Sequence, residues 1–313
     1  MAERYLGIEI GGTKLQVVLG DAEADILERR RMTVDRERGA EGIREQVEDA
    51  VGEFLDAAPG CRAAGIGFGG PVDVEQGTVA TSNQVEGWAD YPIVSWLEEL
   101  TGLPVALEND ANSGALAEAV KGAGREYRYV CFLTLGSGCG GGMVADGSIY
   151  HGAPPGESEV GLQALSKKGD TVESQCCGWA VDRKIREYIR DNPDSLLADR
   201  VGEEEGGEAR FLTAAIEKGD VGACTVLQET AEDLAFGLSH VTHLLHPEII
   251  CLGGGLSLMG EPLRSAVATE LARFVHPAYR PPPRIAIAEL GEDVIAVGAL
   301  LLALRKAAAT DSR

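Results

Sequence analysis

The first residues able to do chemistry together are Glu9-Ile-Gly-Gly-Thr-Lys14. Gly11 and Gly12 let a backbone approach a ligand closely. Exposed N–H groups beside the Thr13 hydroxyl and the Lys14 ammonium suit phosphate. A Gly-Gly hairpin with one solvated lysine fits the same residues, and this stretch alone leaves both readings open. A similar arrangement returns at Gly136-Ser-Gly-Cys-Gly-Gly-Gly142, after the apolar run 128–135, and a third glycine cluster, Gly253-Gly-Gly-Leu-Ser257, follows the apolar run 247–252. Neither of the first two turns has the G-x-x-x-x-G-K-[ST] spacing of a P-loop. The second imitates G-x-G-x-x-G but leads into a strand, so it fails the context test for a Rossmann site. Asp110, in Glu108-Asn-Asp-Ala-Asn112, stands where a strand gives way to a helix. There Asn109 or Asp110 can cap the helix. Strand ends of an α/β sheet are also where ligands bind, and an aspartate there can take the proton of a hydroxyl.

These residues need elements to hold them. Alternation of Leu6, Ile8 and Ile10, then Leu15, Val17 and Leu19, predicts a hairpin over 5–20. Ile43, Val47, Val51, Phe54 and Leu55 share one face of a helix over 42–58. Strands follow over 63–68, 105–107, 128–135, 143–144, 247–252 and 284–287, with Asp146-Gly147 closing a second hairpin. Helices are expected over 93–100, 113–120, 181–189, 211–216, 221–245, 263–275 and 294–304. Strand, glycine-rich turn, strand thus occurs twice, about one domain length apart. Two similar halves facing each other across a cleft would hold a nucleotide between two phosphate loops. The expected organisation is an α/β domain over 1–120, closed by a helix over 292–308, and a second α/β domain over 121–291.

The bulk numbers narrow the function. A chain of 313 residues is long enough for two domains. A net charge of −22 argues against nucleic acid or an anionic membrane as partner. The acid fits both a salt-rich interior and an ordinary acidic enzyme. No apolar run is long enough to span a membrane and no leader precedes the first strand, so neither a membrane segment nor a signal peptide is expected. Seven cysteines, mostly in apolar contexts, fit a reducing cytoplasm. His240, His243 and His246 recur every third residue, but with no carboxylate or thiol nearby they read as packing or solvated histidines. Adjacent Cys176 and Cys177 make a poor zinc pair.

Taken in order and spacing, these motifs resemble the ROK family (repressors, open reading frames, sugar kinases) over nearly the whole chain. Glu9-Ile-Gly-Gly-Thr-Lys14 matches its first phosphate motif, D-x-G-G-T-K, and Leu133-Thr-Leu-Gly-Ser-Gly-Cys-Gly-Gly-Gly142 its second. Leu252-Gly-Gly-Gly-Leu-Ser257 is similar to the segment that lies against adenosine. Gly69-Gly-Pro-Val-Asp73, Asn83, Trp88 and Asn109-Asp110 match the sugar side. The resemblance implies an α/β, two-domain actin-like ATPase (RNase H-like) fold with ATP and sugar in an interdomain cleft. It implies Asp110 as catalytic base and Gly70, Asn83, Asn109, Asp110 and Glu159 on the sugar. Gly11, Gly12, Thr13, Lys14, Gly136, Ser137, Gly138, Gly253, Gly254 and Gly255 would meet the nucleotide. Mg²⁺ would be held through water near Glu9, and a homodimer or homotetramer is implied by analogy.

Two departures stand out. Glu9 replaces the usual aspartate of the first motif. Of the family's zinc region, Glu159-Val-Gly-Leu162 has leucine where E-x-G-H has histidine, and the C-x-C-G-x-x-G-C-x-E element survives only as Cys177-Gly178. Gln175 and Asp182 stand for two cysteines and Lys184 for the glutamate, so no zinc is expected. The expected activity is ATP-dependent phosphorylation of a sugar hydroxyl. A sugar-binding protein that has lost catalysis is the alternative. A transcriptional repressor is disfavoured, because only residues 1–4 precede the first motif where ROK repressors carry a helix-turn-helix.

Overall fold

The computed structural model describes residues 3–82, 84–153, 158–202 and 206–312. Asn83, expected on the sugar, and the acidic run 203–205 lie outside the described residues. The chain forms two compact units, one of residues 1–117, 148–157 and 292–313, the other of residues 118–147 and 158–291. Among the described residues no helix is long and apolar enough to cross a membrane.

The first unit is built on strands β1 (Arg4–Ile10), β2 (Lys14–Gly20), β3 (Ile26–Thr33) and β4 (Cys61–Phe68), a small hairpin of β5 (Val72–Asp73) and β6 (Thr78–Val79), and strand β7 (Val105–Asn109). The main sheet runs β3-β2-β1-β4-β7. The first three strands are antiparallel neighbours, whereas β4 lies parallel to both β1 and β7. Helix α1 (Gly39–Ala57) connects β3 to β4, α2 (Ile93–Thr101) connects β6 to β7, and α3 (Asp110–Val120) follows β7. Leu6, Ile8 and Ile10 of β1 pack with Ile43, Val47 and Phe54 of α1 in one dry core, the burial that drives such a sheet–helix layer.

No strand was expected over 26–33, because Glu28, Arg29, Arg30 and Arg31 hide its alternation. It forms at the sheet edge, where charges guard against further pairing: Arg30 meets Glu53 at 2.8 Å and Arg29 meets Asp293 at 2.7 Å.

The second unit repeats the plan. Strands β8 (Tyr129–Leu135) and β9 (Cys139–Ala145) form an antiparallel pair; after the Asp146-Gly147 turn, whose φ values of 48 and 76° suit Asp-Gly, the short β10 (Ser148–Ile149) belongs to the first unit. The glycine run 140–142 was expected in the turn. It lies instead within β9, paired with Phe132, Leu133 and Thr134 of β8, so the turn itself is only Gly136-Ser137-Gly138. Helices α4 (Val172–Cys176), α5 (Gly178–Asp191), α6 (Leu212–Ile216) and α7 (Val221–Leu245) lead to β11 (Ile249–Gly253), then α8 (Glu261–Phe274) and β12 (Arg284–Ile287). β11 is parallel to both β8 and β12.

The closing helix α9 (Val294–Asp311) returns to the first sheet. A methyl group on Gly65 would lie 2.0 Å from Ala299 O, and one on Gly7 would lie 3.0 Å from Ala296 O. Only glycine lets α9 approach β1 and β4 so closely.

Candidate active site

Because β1, β4 and β7 run parallel and in register, their carboxyl ends finish side by side: Ile10 is opposite Phe68, and Phe68 opposite Asn109. The residues that follow are Gly11, Gly69 and Asp110. A methyl on Gly69 would lie 3.3 Å from Gly11 Cα and 3.4 Å from Asp110 Oδ2. Sheet register alone therefore brings the candidate base against the first glycine turn. Asn109 is the cap of α3: its Oδ1 accepts from Ala111 N at 2.9 Å and Asn112 N at 3.2 Å, and its Nδ2 donates to Gly70 O at 3.1 Å. Asp110 opens the helix, with Oδ1 accepting from Ala111 N at 2.8 Å. The Gly70 amide donates to Phe68 O at 3.0 Å.

One residue earlier, the same register aligns Gln16, Glu9, Gly67 and Glu108 in a row. Alternation predicted Glu9 on the less apolar side of β1; both sides are in fact buried, and Glu9 is 7% exposed. Its carboxylate accepts from Gln16 Nε2 and lies 3.4 Å from Lys14 Nζ. Burial pushes the Glu9 carboxyl up, against the pull of Lys14 and Gln16. Lys14 also donates to Glu292 O at 2.6 Å, at the start of α9.

Glu108, 1% exposed, accepts from Asn109 N at 3.0 Å and Asn112 Nδ2 at 3.1 Å, and pairs with His151 Nε2 at 2.6 Å. No sequence signal marked His151, since the pairing spans forty-odd residues with no local periodicity.

The two glycine turns are built alike. Gly11 N donates to Lys14 O at 2.8 Å, and Gly136 N donates to Gly138 O at 2.9 Å. The amides of Gly12, Thr13, Ser137 and Gly138 have no backbone acceptor among the described residues, and Thr13 and Ser137 are exposed. Such turns present N–H groups to an anion. In the second unit Glu173 Oε2 accepts from Cys139 N at 2.8 Å, and Gly178 N donates to Gly136 O at 2.7 Å, which fixes the turn from α4 and α5. Gly254, with φ 78°, places its Cβ position 2.6 Å from the Leu135 backbone, so the third glycine cluster lies against the second turn, while a side chain on Gly255 would meet open space.

The profile of the ROK family matches residues 5–306. The chain belongs to the ROK family. This ROK protein is 29% identical over 311 residues to a glucokinase from Halalkalibacterium halodurans, covering 95% of this chain and 94% of the relative. It is 25% identical over 268 residues to a xylose repressor from Caldicellulosiruptor bescii, covering 82% of this chain and 67% of that one. Among solved structures it resembles a ROK family glucokinase from Streptomyces griseus in complex with glucose and AMPPNP, with TM-score 0.84, 28% identity and coverage of 96% and 99%. The two similar sheets are thus those of the α/β actin-like ATPase fold.

In this ROK protein Trp88, matched to the sugar side, is a core residue. It is 1% exposed and edge-on to Phe68 at 5.2 Å and Tyr91 at 5.4 Å. The zinc region has taken other work. Asp182 accepts from Gly207 N at 2.8 Å and Ala209 N at 2.7 Å, and Lys184 pairs with Asp233 at 3.1 Å. Burial pushes the Cys176 thiol up to about 12, the opposite of what a thiolate ligand needs. Leu162 is 64% exposed. Glu159, before the short 3-10 turn Val160–Leu162, has its carboxyl raised by burial and secondarily by Glu173. Among the described residues no three His, Cys, Asp or Glu side chains are grouped to hold a metal.

Proposed function

We propose that this ROK protein transfers the γ-phosphoryl group of ATP to a sugar hydroxyl. The observation that carries the reading is the place of the Asp110 carboxylate at the first glycine turn: a Cβ on Gly69 would lie 3.4 Å from Asp110 Oδ2 and 3.3 Å from Gly11 Cα. Asp110 takes the hydroxyl proton as the oxygen attacks phosphorus in line. The new P–O bond forms as the bond to the β-phosphate oxygen breaks, and ADP leaves with that electron pair. The turns of Gly11, Gly12 and Thr13 and of Gly136, Ser137 and Gly138 bind phosphate oxygens through the amides of Gly12, Thr13, Ser137 and Gly138, and Gly253, Gly254 and Gly255 lie against adenosine. Gly70, Asn83, Asn109 and Glu159 hold sugar hydroxyls, which discriminates against sugars lacking them.

Mg²⁺ fits at Glu9 through water. Gln16 Oε1 is buried with no partner among the described residues, an acceptor that a metal-bound water would satisfy. When bound, the ion would neutralise phosphate charge. We further assign residues 1–120 with 292–308 and residues 121–291 to two domains, a homodimer or homotetramer as the assembly, and the cytoplasm as the compartment, the last supported by seven cysteines without a disulfide. One observation favours a sugar-binding protein without catalysis: Lys14 is already held by Glu9 and Glu292 O. A coupled ADP-release assay over a panel of hexoses with Mg²⁺ and ATP separates the two. Turnover with at least one sugar is expected, and none with any sugar would leave the binding protein.

A further inference from the structure

Arg36 is held at the first glycine turn from outside the motif. It opens the 3-10 turn Arg36–Arg38, whose cap Asp35 accepts from Glu37 N at 3.0 Å and so sets the backbone. Arg36 Nε donates to Gly12 O at 3.0 Å. On the same turn, Gln84 Oε1 lies 1.7 Å from where a methyl on Gly12 would sit, so Gly12 is flanked by Arg36 through its carbonyl and by Gln84 through its missing side chain.

The charge of Arg36 is unspent. The chain carries 50 Asp and Glu against 28 Lys and Arg, and arginines near Arg36 in sequence are paired: Arg29 with Asp293, Arg30 with Glu53, Arg31 with Glu292, Arg38 with Glu45. Arg36 has no carboxylate partner among the described residues, and it is exposed. Lys14, the cation of the motif, is by contrast 3.4 Å from Glu9 and bonded to Glu292 O. With Nε anchored on Gly12, the guanidinium still has the four N–H donors of its two terminal nitrogens, a planar fork that matches phosphate oxygens.

We propose that Arg36 is a phosphate-contacting catalytic residue that supplies, in place of the neutralised Lys14, the positive charge for the transferred phosphoryl group at the first glycine turn. This rests on the phosphotransferase reading above. An arginine in that role stabilises charge on the equatorial oxygens of the transition state without taking part in bond making.

The test compares wild type with Arg36→Gln and Arg36→Lys. Binding of AMPPNP with Mg²⁺ is measured by calorimetry, turnover by ADP release, and folding by melting temperature. Arg36→Gln is expected to lower kcat by about 10²-fold or more and to weaken AMPPNP about tenfold, because one charge-assisted phosphate contact is lost. Sugar affinity and melting should stay near the wild-type values, since the side chain is exposed and the bond it makes to Gly12 O lies at the surface. Arg36→Lys, keeping charge without the fork or the Nε anchor, should fall between. If Arg36→Gln binds AMPPNP and turns over like the wild type, the proposal is overturned while the phosphotransferase reading stands. If the wild type phosphorylates no sugar, that reading falls, and the calorimetric comparison alone judges Arg36: weaker AMPPNP binding upholds a phosphate contact, unchanged binding removes it. A wild type that binds no AMPPNP overturns both.

Discussion

Gln16 donates its side-chain N–H to the Glu9 carboxylate directly across the first hairpin, and that is the one hydrogen bond the fully buried Gln16 side chain makes among the described residues. A buried glutamine with an orphaned Oε1 costs stability. What it secures is the direction of a glutamate that is one methylene longer than the aspartate of the family motif.

Glu9→Gln should therefore separate stability from function. The Glu9 carboxyl is raised by burial, so between its unfolded and folded values the native state holds more protons than the unfolded chain. Stability falls as pH rises through that window, and the penalty is fully present above it. Glu9→Gln removes the penalty, so at neutral pH the variant is expected to melt no lower than wild type, and the difference between them should shrink toward acid. Its kcat should drop and its Mg²⁺ requirement rise, with sugar affinity unchanged. Melting curves from acid to neutral pH and a Mg²⁺ titration check this; a variant that titrates with Mg²⁺ and ATP like wild type would remove Glu9 from catalysis.

Asp110→Asn keeps the shape of the corner, since Asn109 rather than Asp110 caps α3. A neutral amide cannot accept the hydroxyl proton. The expected loss in kcat is ~10²–10⁴-fold with sugar binding retained. Steady-state kinetics with calorimetric sugar binding decide it, and near-wild-type kcat would sink the mechanism.

His151→Ala leaves the buried Glu108 side chain with the Asn109 amide and the Asn112 side chain as its remaining partners among the described residues. Losing one partner of so buried a group costs about 1–3 kcal/mol, moderated by the partial exposure of the imidazole. Adding Glu108→Gln removes the stranded charge, so the double variant should recover part of the loss. Urea melts of the four proteins give the coupling directly, and additive losses would show that the pair does not interact.

Zinc should be absent from the purified protein, and chelators should leave its melting unchanged. Asp182 and Lys184 already have other partners, and the Cys176 thiol is held protonated. One tightly bound zinc per chain by elemental analysis would refute this.

Much of the fold was legible because its signals are local. Apolar alternation marked β1 and β2, a continuous apolar run marked β8, and helical periodicity marked α1 and α7. What escaped was held by partners distant in sequence. The charged strand β3 exists because β2 offers it hydrogen bonds and Asp293 and Glu53 take its arginines. Trp88 reads as a pocket residue until Phe68 and Tyr91 are seen to enclose it.

By itself the sequence determined the family, the α/β class and the three glycine clusters, and it marked Asp110 as the candidate base, since each is a matter of residue type and spacing along the chain. Tertiary structure alone decided which of these groups share a neighbourhood. Parallel register of β1, β4 and β7 carries Gly11, Gly69 and Asp110 to one edge and lines up Gln16, Glu9, Gly67 and Glu108 behind them. Arg36 reaches Gly12, and His151 reaches Glu108, across spans of chain that leave no mark in the sequence. Hydrogen bonds and charge pairing act over a few ångströms of space, and no pattern of neighbouring letters records which distant residues the folded backbone brings within that range.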